Sequence, residues 1–87
     1  MDFRYDIGDA VIVRQNLEHK DYYMESGPEC GNEYAYFSEE MEEWAGKVVH
    51  ISDYTWDDQY YIEEDDEEYH WTDEMLMPVG LNFVSLL

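Results

Sequence analysis

Hydrophobic and polar residues alternate along several short runs of the chain, and this pattern predicts β-strands. Residues 10–14 (AVIVR) are rich in β-branched side chains and predict a strand with Val11 and Val13 on one face. Residues 47–52 (KVVHIS) and 59–64 (QYYIEE) have the same period of two and predict two further strands. Each run therefore offers one apolar face to a core.

A fourth run follows the acidic turn EDDE. Residues 68–72 (EYHWT) predict a strand in which Tyr69 and Trp71 point inward and His70 points outward. The polar stretch SDYTWDD separates the two preceding strands and predicts a turn. The last three runs together predict a three-strand meander.

The longest connection runs over 30 residues, from Gln15 to Trp44, and structureless connections of that length are rare in compact domains. Two glycine-containing pairs, Gly27-Pro28 and Gly31-Asn32, predict a turn within it, and residues 33–37 (EYAYF) predict a short strand after that turn.

A short helix is predicted next, over residues 39–44 (EEMEEW). Ser38 is suited to cap it, Met41 and Trp44 share one face, and Gly46 can end it. Its early acidic residues suit the positive N-terminal end of a helix.

The chain ends in an apolar stretch, MPVGLNFVSLL, in which Pro78 prevents a helix from continuing. We predict an edge strand around Leu81 to Leu86. An apolar edge strand of this kind can also pair with a second copy, so a homodimer through it is one expectation.

Five short strands with one long first connection match a small, partly open barrel. The segments GDAVIVR, GKVVHI, YYIEED and YHWTDEML resemble the SH3-like barrel proteins that phages and prophage-bearing bacteria encode as short single-domain products. The resemblance covers roughly residues 7–77. It implies a mainly β fold: a small five-stranded SH3-like barrel with a long first loop carrying a short helix. It also implies a first strand at Ala10–Arg14 and a one-turn 3₁₀ segment at Thr72–Met75. The shared positions are core and turn positions, so the resemblance specifies a fold and no activity.

Composition indicates a folded protein with an extreme charge. Lys and Arg number 4 against 23 Asp and Glu, a formal net charge of -19, yet 45% of the residues are hydrophobic and 17% aromatic. Acidic disordered chains are poor in aromatic residues, so we expect one folded domain over residues 1–87. Cys30 has no second cysteine to pair with, and no stretch has the features of a signal peptide or membrane span. These features predict a cytoplasmic protein, located in the host cytoplasm if a phage encodes it.

The acidic residues lie in two long tracts. Asp21 to Trp44 contains eight and Asp53 to Glu74 eleven, and neither tract contains Lys or Arg. A globule of this length is roughly 30 Å across, a length over which B-DNA carries roughly 18 charges. The chain therefore has the charge of a duplex of its own size, which predicts a nucleic-acid mimic that binds a basic surface. The predicted partner-binding residues are Glu39, Glu40, Glu42, Glu43, Asp57, Asp58, Glu63, Glu64, Asp65, Asp66, Glu67 and Glu68, with Tyr22 and Tyr36 as aromatic anchors.

The hypothesis is thus a phage-type accessory protein that blocks the nucleic-acid-binding surface of a host protein, with an inhibitor of a CRISPR effector as the most concrete instance. The alternative is an SH3-like peptide-binding or assembly module whose acidity serves solubility only. Direct binding of nucleic acid or of an anionic membrane is disfavoured by the charge. The stretch EEDDEE lacks the alternation and glycine of a calcium loop, and the histidines and Cys30 lack zinc spacing, so we expect no metal or other cofactor. No pair of carboxylates is set apart by apolar surroundings, so we expect no catalysis.

Overall fold

The structure is a computed structural model that describes residues 2–79. The fold is mainly β and contains two short 3₁₀ helices. The strands are β1 (Ala10–Val13), β2 (Asp21–Tyr23), β3 (Tyr34–Tyr36), β4 (Val48–Tyr54), β5 (Tyr60–Ile62) and β6 (Leu76–Pro78). The first 3₁₀ helix is Glu39–Trp44 and the second is Asp73–Met75. The predicted edge strand at Leu81–Leu86 lies outside the described residues.

Four strands form one antiparallel sheet in the order β5-β4-β1-β6, and β2 pairs with β3 in a separate two-stranded sheet. Within β1, Val11 lies opposite Val49 and Val13 lies opposite Leu76. All four of these side chains are fully buried. The period-two prediction for residues 10–14, 47–52 and 59–64 is therefore confirmed, with β5 shorter than predicted.

The predicted fourth strand at residues 68–72 is wrong, apart from one bridge between Tyr60 and Trp71. The main-chain N–H groups of Glu68 and Tyr69 donate to the Asp65 carboxylate instead of to a neighbouring strand. A β-ladder needs those N–H donors for hydrogen bonds to the neighbouring strand, so only Trp71 pairs with β5. Trp71 is nevertheless fully buried, as predicted, whereas Tyr69 is half-buried.

The long connection contains the β2–β3 hairpin and the first 3₁₀ helix. Strand β3 was predicted, but β2 was not, because only Tyr22 of its three residues is buried. The predicted helix forms over the predicted residues as a 3₁₀ helix, with Met41 buried and Trp44 partly buried. The connection ends at Gly46, whose N–H donates to the Val13 carbonyl.

The hairpin is held against the second 3₁₀ helix, which falls where the sequence resemblance implies one. Asp73 is fully buried there, and its carboxylate accepts hydrogen bonds from the Glu25 main-chain N–H and from the Ser26 hydroxyl. The Gln59 side chain also donates to the Tyr34 carbonyl. These bonds fix the β2–β3 hairpin against the rest of the fold. The hydrophobic core lies between the hairpin and the four-stranded sheet.

The core is one cluster of buried side chains drawn from both sheets, from both helices and from the N-terminal arm. It contains Tyr5, Val11, Val13, Tyr22, Met24, Phe37, Met41, Val49, Ile51, Tyr60, Ile62, Trp71, Met75 and Leu76. Aromatic and β-branched side chains account for most of its buried volume, as expected for a small β domain. None of the helices formed within residues 2–79 has the length and apolar character needed to cross a membrane.

Candidate acidic interface

Acids from the two distant tracts meet around the ring of Tyr69. The ring packs edge-on against Trp44 of the first 3₁₀ helix, with 6.3 Å between centroids. Hydrogen bonding to Glu68, partial burial, and the charges of Glu68, Glu40 and Glu43 raise the pKa of Tyr69 to about 12. Negative charges close to a phenol oppose its ionisation, so the raised pKa of Tyr69 reflects nearby carboxylates of both tracts, Glu40 and Glu43 from the first and Glu68 from the second.

We name this surface the acidic face. It consists of the exposed acids of the first 3₁₀ helix and of the turn after β5, with Tyr69 between them. Its members are Glu39, Glu40, Glu42, Glu43, Glu63, Glu64, Asp66, Glu67 and Glu68.

The first 3₁₀ helix displays its acids because Met41 is directed inward. Ser38 is extended before the helix, and the Met41 N–H donates to the Ser38 carbonyl at 3.1 Å. Met41 is buried in the core, so the glutamates on either side of it remain exposed. Acids in the first turn also lie close to the unpaired N–H groups of the helix start, which favours negative charge there.

Asp65 was predicted to bind a partner, and the structure places it in the interior instead. It is 7% exposed, and its carboxylate accepts from the Glu68 and Tyr69 main-chain N–H groups and from Trp71 Nε1 at 2.9 Å. Burial raises the pKa of Asp65, although these hydrogen bonds favour the charged form. Asp65 therefore organises the turn from within.

The same turn contains two consecutive residues with left-handed backbone, Asp66 at φ 57° and Glu67 at φ 60°. That conformation costs non-glycine residues roughly 1–2 kcal/mol each. The Glu67 carboxylate accepts a hydrogen bond from the Ser52 hydroxyl at 2.9 Å, which helps to hold the turn against β4. The turn thus keeps two carboxylates at positions where glycine would be less strained.

Ammonium and guanidinium groups do not neutralise the acidic face within residues 2–79. The Lys and Arg ion pairs formed there are Arg4 with Glu25 at 3.5 Å and Lys20 with Glu18 at 3.6 Å. Both acids of these pairs belong to other parts of the fold. Arg14 donates to the Glu74 main-chain carbonyl.

Three of the predicted partner-binding acids are paired with histidines. The pairs are Glu42 with His19 at 2.8 Å, Glu64 with His50 at 2.7 Å and Asp57 with His70 at 3.2 Å. The hydrogen bond that the His50 ring donates to the Glu64 carboxylate raises the pKa of His50. Desolvation opposes ionisation of Glu64, but its hydrogen bonds from His50 prevail and lower the pKa of Glu64.

Replacing Glu64 with glutamine should lower the pKa of His50 towards its ordinary value of 6.5, because the charge that holds the ring proton is removed. Because folding raises the pKa of His50, its protonation stabilises the fold fully below about pH 6.5, the pKa of the unfolded chain. This stabilisation is lost as the pH rises through the higher pKa of the folded protein. Because folding lowers the pKa of Glu64, its ionisation stabilises the fold above about pH 4.5. That stabilisation is lost as the pH falls through the lower pKa of the folded protein. The pair thus stabilises most between about pH 4.5 and 6.5. NMR titration of the His50 ring measures the change. Glu42→Gln is the control and should leave His50 unchanged; an unshifted His50 in Glu64→Gln would contradict the pairing.

The two predicted aromatic anchors have different environments. Tyr22 was predicted to anchor a partner, but it is only 7% exposed and its hydroxyl accepts from the Glu18 N–H, so it offers little surface for binding. Its position in β2 directs it to the core. Tyr36 is 55% exposed, and its hydroxyl donates to the His19 carbonyl.

Two other exposed tyrosines were not among the predicted partner-binding residues. Tyr23 and Tyr34 lie opposite one another on the outer face of the hairpin, with ring centroids 5.5 Å apart. Once Tyr22 is known to point inward, strand alternation places Tyr23 and its cross-strand partner outward. Trp56 is the most exposed large hydrophobic side chain in the described part of the chain, at 85%.

Asp57 and Asp58 form the turn between β4 and β5, which is not one of the two elements that define the acidic face. The Asp57 carboxylate accepts from the Thr55 hydroxyl and pairs with His70. Asp58 has φ 60° and its N–H donates to the Thr55 carbonyl. Both are only partly exposed, so they contribute less free charge than the acidic face.

Over the described range, no three His, Cys, Asp or Glu side chains are grouped in a way that could hold a metal ion. Comparisons with protein-family models, with curated proteins and with solved structures find no match to the chain.

Proposed function

We propose that this chain is a phage-type accessory protein that mimics DNA and blocks the basic nucleic-acid-binding surface of a host protein in the host cytoplasm. The most concrete instance is an anti-CRISPR or another inhibitor of host defence. The observation that carries the proposal is the acidic face. Carboxylates from two tracts act together on Tyr69, while the lysines and arginines of the described residues form no ion pair with them.

The dimensions agree with a mimic of duplex DNA. The described residues have a radius of gyration of 12.2 Å and a longest dimension of 37 Å. A duplex of that length carries about 22 phosphate charges, against a formal charge of -19 for the whole chain. A basic groove shaped for DNA would therefore meet a comparable charge density, which accelerates association and makes binding depend on salt.

We further propose that the fold is an SH3-like barrel. Strand β1 is followed by the long connection, then by β4, β5 and the Trp71 bridge, and the second 3₁₀ helix leads into β6 beside β1. This order supports the resemblance, which implies a long first loop and a tryptophan segment leading into a 3₁₀ turn.

The mimic should compete with DNA for a CRISPR effector. We expect the protein to displace labelled duplex at low salt and to lose this ability steeply as salt rises, because the bound surfaces are held by opposite charge. Fluorescence anisotropy of the labelled duplex measures displacement. A protein of similar size and near-zero net charge is the control. Absence of displacement at low salt would remove the proposal for that effector, and salt-independent displacement would contradict charge mimicry.

The exposed tyrosines of the hairpin favour a second candidate, a peptide-binding or assembly module. Tyr23, Tyr34 and Tyr36 expose about half of their surface each, and Glu74 accepts from the Tyr23 N–H beside them. Aromatic rings next to a carboxylate are suited to bind extended peptides. Partner binding that survives neutralisation of the acidic face but is lost in Tyr34→Ala would favour this module over the mimic.

A further inference from the structure

An open cavity of about 530 Å³ lies apart from the acidic face. Three elements form it: the N-terminal arm, the turn of the β2–β3 hairpin and the end of β4. Its lining residues are Asp2, Phe3, Asp6, Pro28 and Tyr54.

Two aromatic rings in the cavity wall are held in place. Phe3 stacks on Tyr54 with centroids 4.0 Å apart and planes 17° from parallel. Gly27 supports Phe3 from the hairpin: its φ is 83°, and a Cβ there would lie 3.0 Å from Phe3 Cε1. The Tyr54 hydroxyl donates to the Tyr5 carbonyl at 3.0 Å. The wall is therefore a preformed aromatic surface and needs little ordering on binding.

The charge around these rings is negative and without a cationic partner in residues 2–79. Asp2 and Asp6 are exposed at the cavity, and their carboxylates take part in none of the ion pairs formed there, since Arg4 pairs with Glu25. Burial raises the pKa of Tyr54, and the charges of Asp6, Asp9 and Asp53 raise it further. Carboxylates thus surround the aromatic wall on several sides.

We propose that this cavity binds an arginine side chain of a partner protein. A guanidinium group is planar and weakly hydrated, so it can stack on a tyrosine or phenylalanine face while donating to carboxylates at its edge. Phe3, Tyr54, Asp2 and Asp6 line the same cavity, so a side chain that enters it meets aromatic rings and two carboxylates together. An anion would be repelled, and a neutral side chain would leave the carboxylates unused.

The site does not depend on the proposed function, because none of its residues belongs to the acidic face. It adds a defined pocket to a surface otherwise described by charge. Aromatic pockets that hold an arginine are frequent centres of binding energy in protein interfaces.

The test is an NMR titration of the full chain with N-acetyl-arginine amide at low salt, with N-acetyl-citrulline amide as the neutral probe of equal shape. We expect the ring signals of Phe3 and Tyr54 to shift with the arginine probe, and about tenfold weaker binding of the citrulline probe. Binding of the two probes with equal strength, or no shift of these rings, would overturn the proposal.

A matched pair of variants separates the pocket from general attraction to a negative protein. Asp2→Asn/Asp6→Asn should weaken binding of the arginine probe by about fivefold. Asp21→Asn/Asp66→Asn removes the same charge elsewhere and should change it by less than about twofold. Equal losses in the two variants would show that only net charge matters and would overturn the site. A variant with a neutralised acidic face should still bind the arginine probe. The pocket can therefore be tested whether or not the acidic face mimics DNA.

Discussion

Replacing Asp65 with asparagine should lower the free energy of unfolding by about 2 kcal/mol. Three N–H donors converge on its two carboxylate oxygens, from the Glu68 and Tyr69 main chain and from the Trp71 indole. Asparagine has one acceptor oxygen, and its NH2 group would face another donor. In one orientation the Tyr69 N–H and the Trp71 indole lose their acceptor. In the other the NH2 group opposes the Glu68 N–H, which keeps only its bond to the Asp65 main-chain carbonyl. Since burial already raises the pKa of Asp65, the loss comes from these donors rather than from the missing charge.

Urea unfolding at neutral pH measures the effect, and in a domain of this size it corresponds to a fall in Tm of roughly 10 °C. Asp66→Asn is the matched control, because it removes the same charge from the next, exposed residue and should change stability by less than about 0.5 kcal/mol. Asp65→Ala removes both acceptors and should cost about 3 kcal/mol. Equal stability of Asp65→Asn and Asp66→Asn would show that Asp65 does not hold the turn.

Asp65 also shows why the acidic face was only partly predictable. In the run EEDDEE, residues 63–68, nothing local distinguishes the one carboxylate that turns inward. The distinction arises from Trp71, whose buried indole N–H needs an acceptor six residues away in sequence. Asp65 satisfies that need and two main-chain donors at once, and this prevents the strand predicted for residues 68–72.

Burial in the central sheet was predictable because it follows from alternation alone. Val11, Val13, Val49 and Ile51 are buried as their parity requires. In β2 the alternating residues are both tyrosines, so composition could not tell which of Tyr22 and Tyr23 points inward. Strand β6 was missed because Leu76–Pro78 is short and ends in proline, and pairing with β1 defines it.

The fold and the charge are connected through Tyr69 and Trp44. Trp44 packs against both Tyr69 and Trp71, so the first 3₁₀ helix is fixed to the turn that Asp65 organises. Acids that are distant in sequence are thereby held near one another by aromatic packing, although they repel. Partner binding would relieve that repulsion, which is the physical reason to expect a basic partner.

Neutralising the three acids around Tyr69 should weaken inhibition of a bound effector more than hundredfold. Glu40→Gln/Glu43→Gln/Glu68→Gln removes three carboxylates that a basic groove would contact, at about 1 kcal/mol each. The substitutions relieve like-charge repulsion, so the variant should fold at least as stably as the parent. Its Tyr69 pKa should fall from about 12 towards the ordinary value of 10.0, which verifies that the substitutions act where the structure places them.

The control is Asp21→Asn/Glu29→Gln/Glu33→Gln, which removes three charges from the β2–β3 hairpin and leaves the acidic face intact. Competition against labelled duplex for the effector measures both variants at one low salt concentration. If charge in general drives binding, the two variants should lose affinity equally, because net charge falls by the same amount. A mimic requires local complementarity, so the acidic-face variant should lose far more. Equal losses would refute a defined acidic interface, and full inhibition by the acidic-face variant, with its Tyr69 pKa lowered, would refute DNA mimicry through this face.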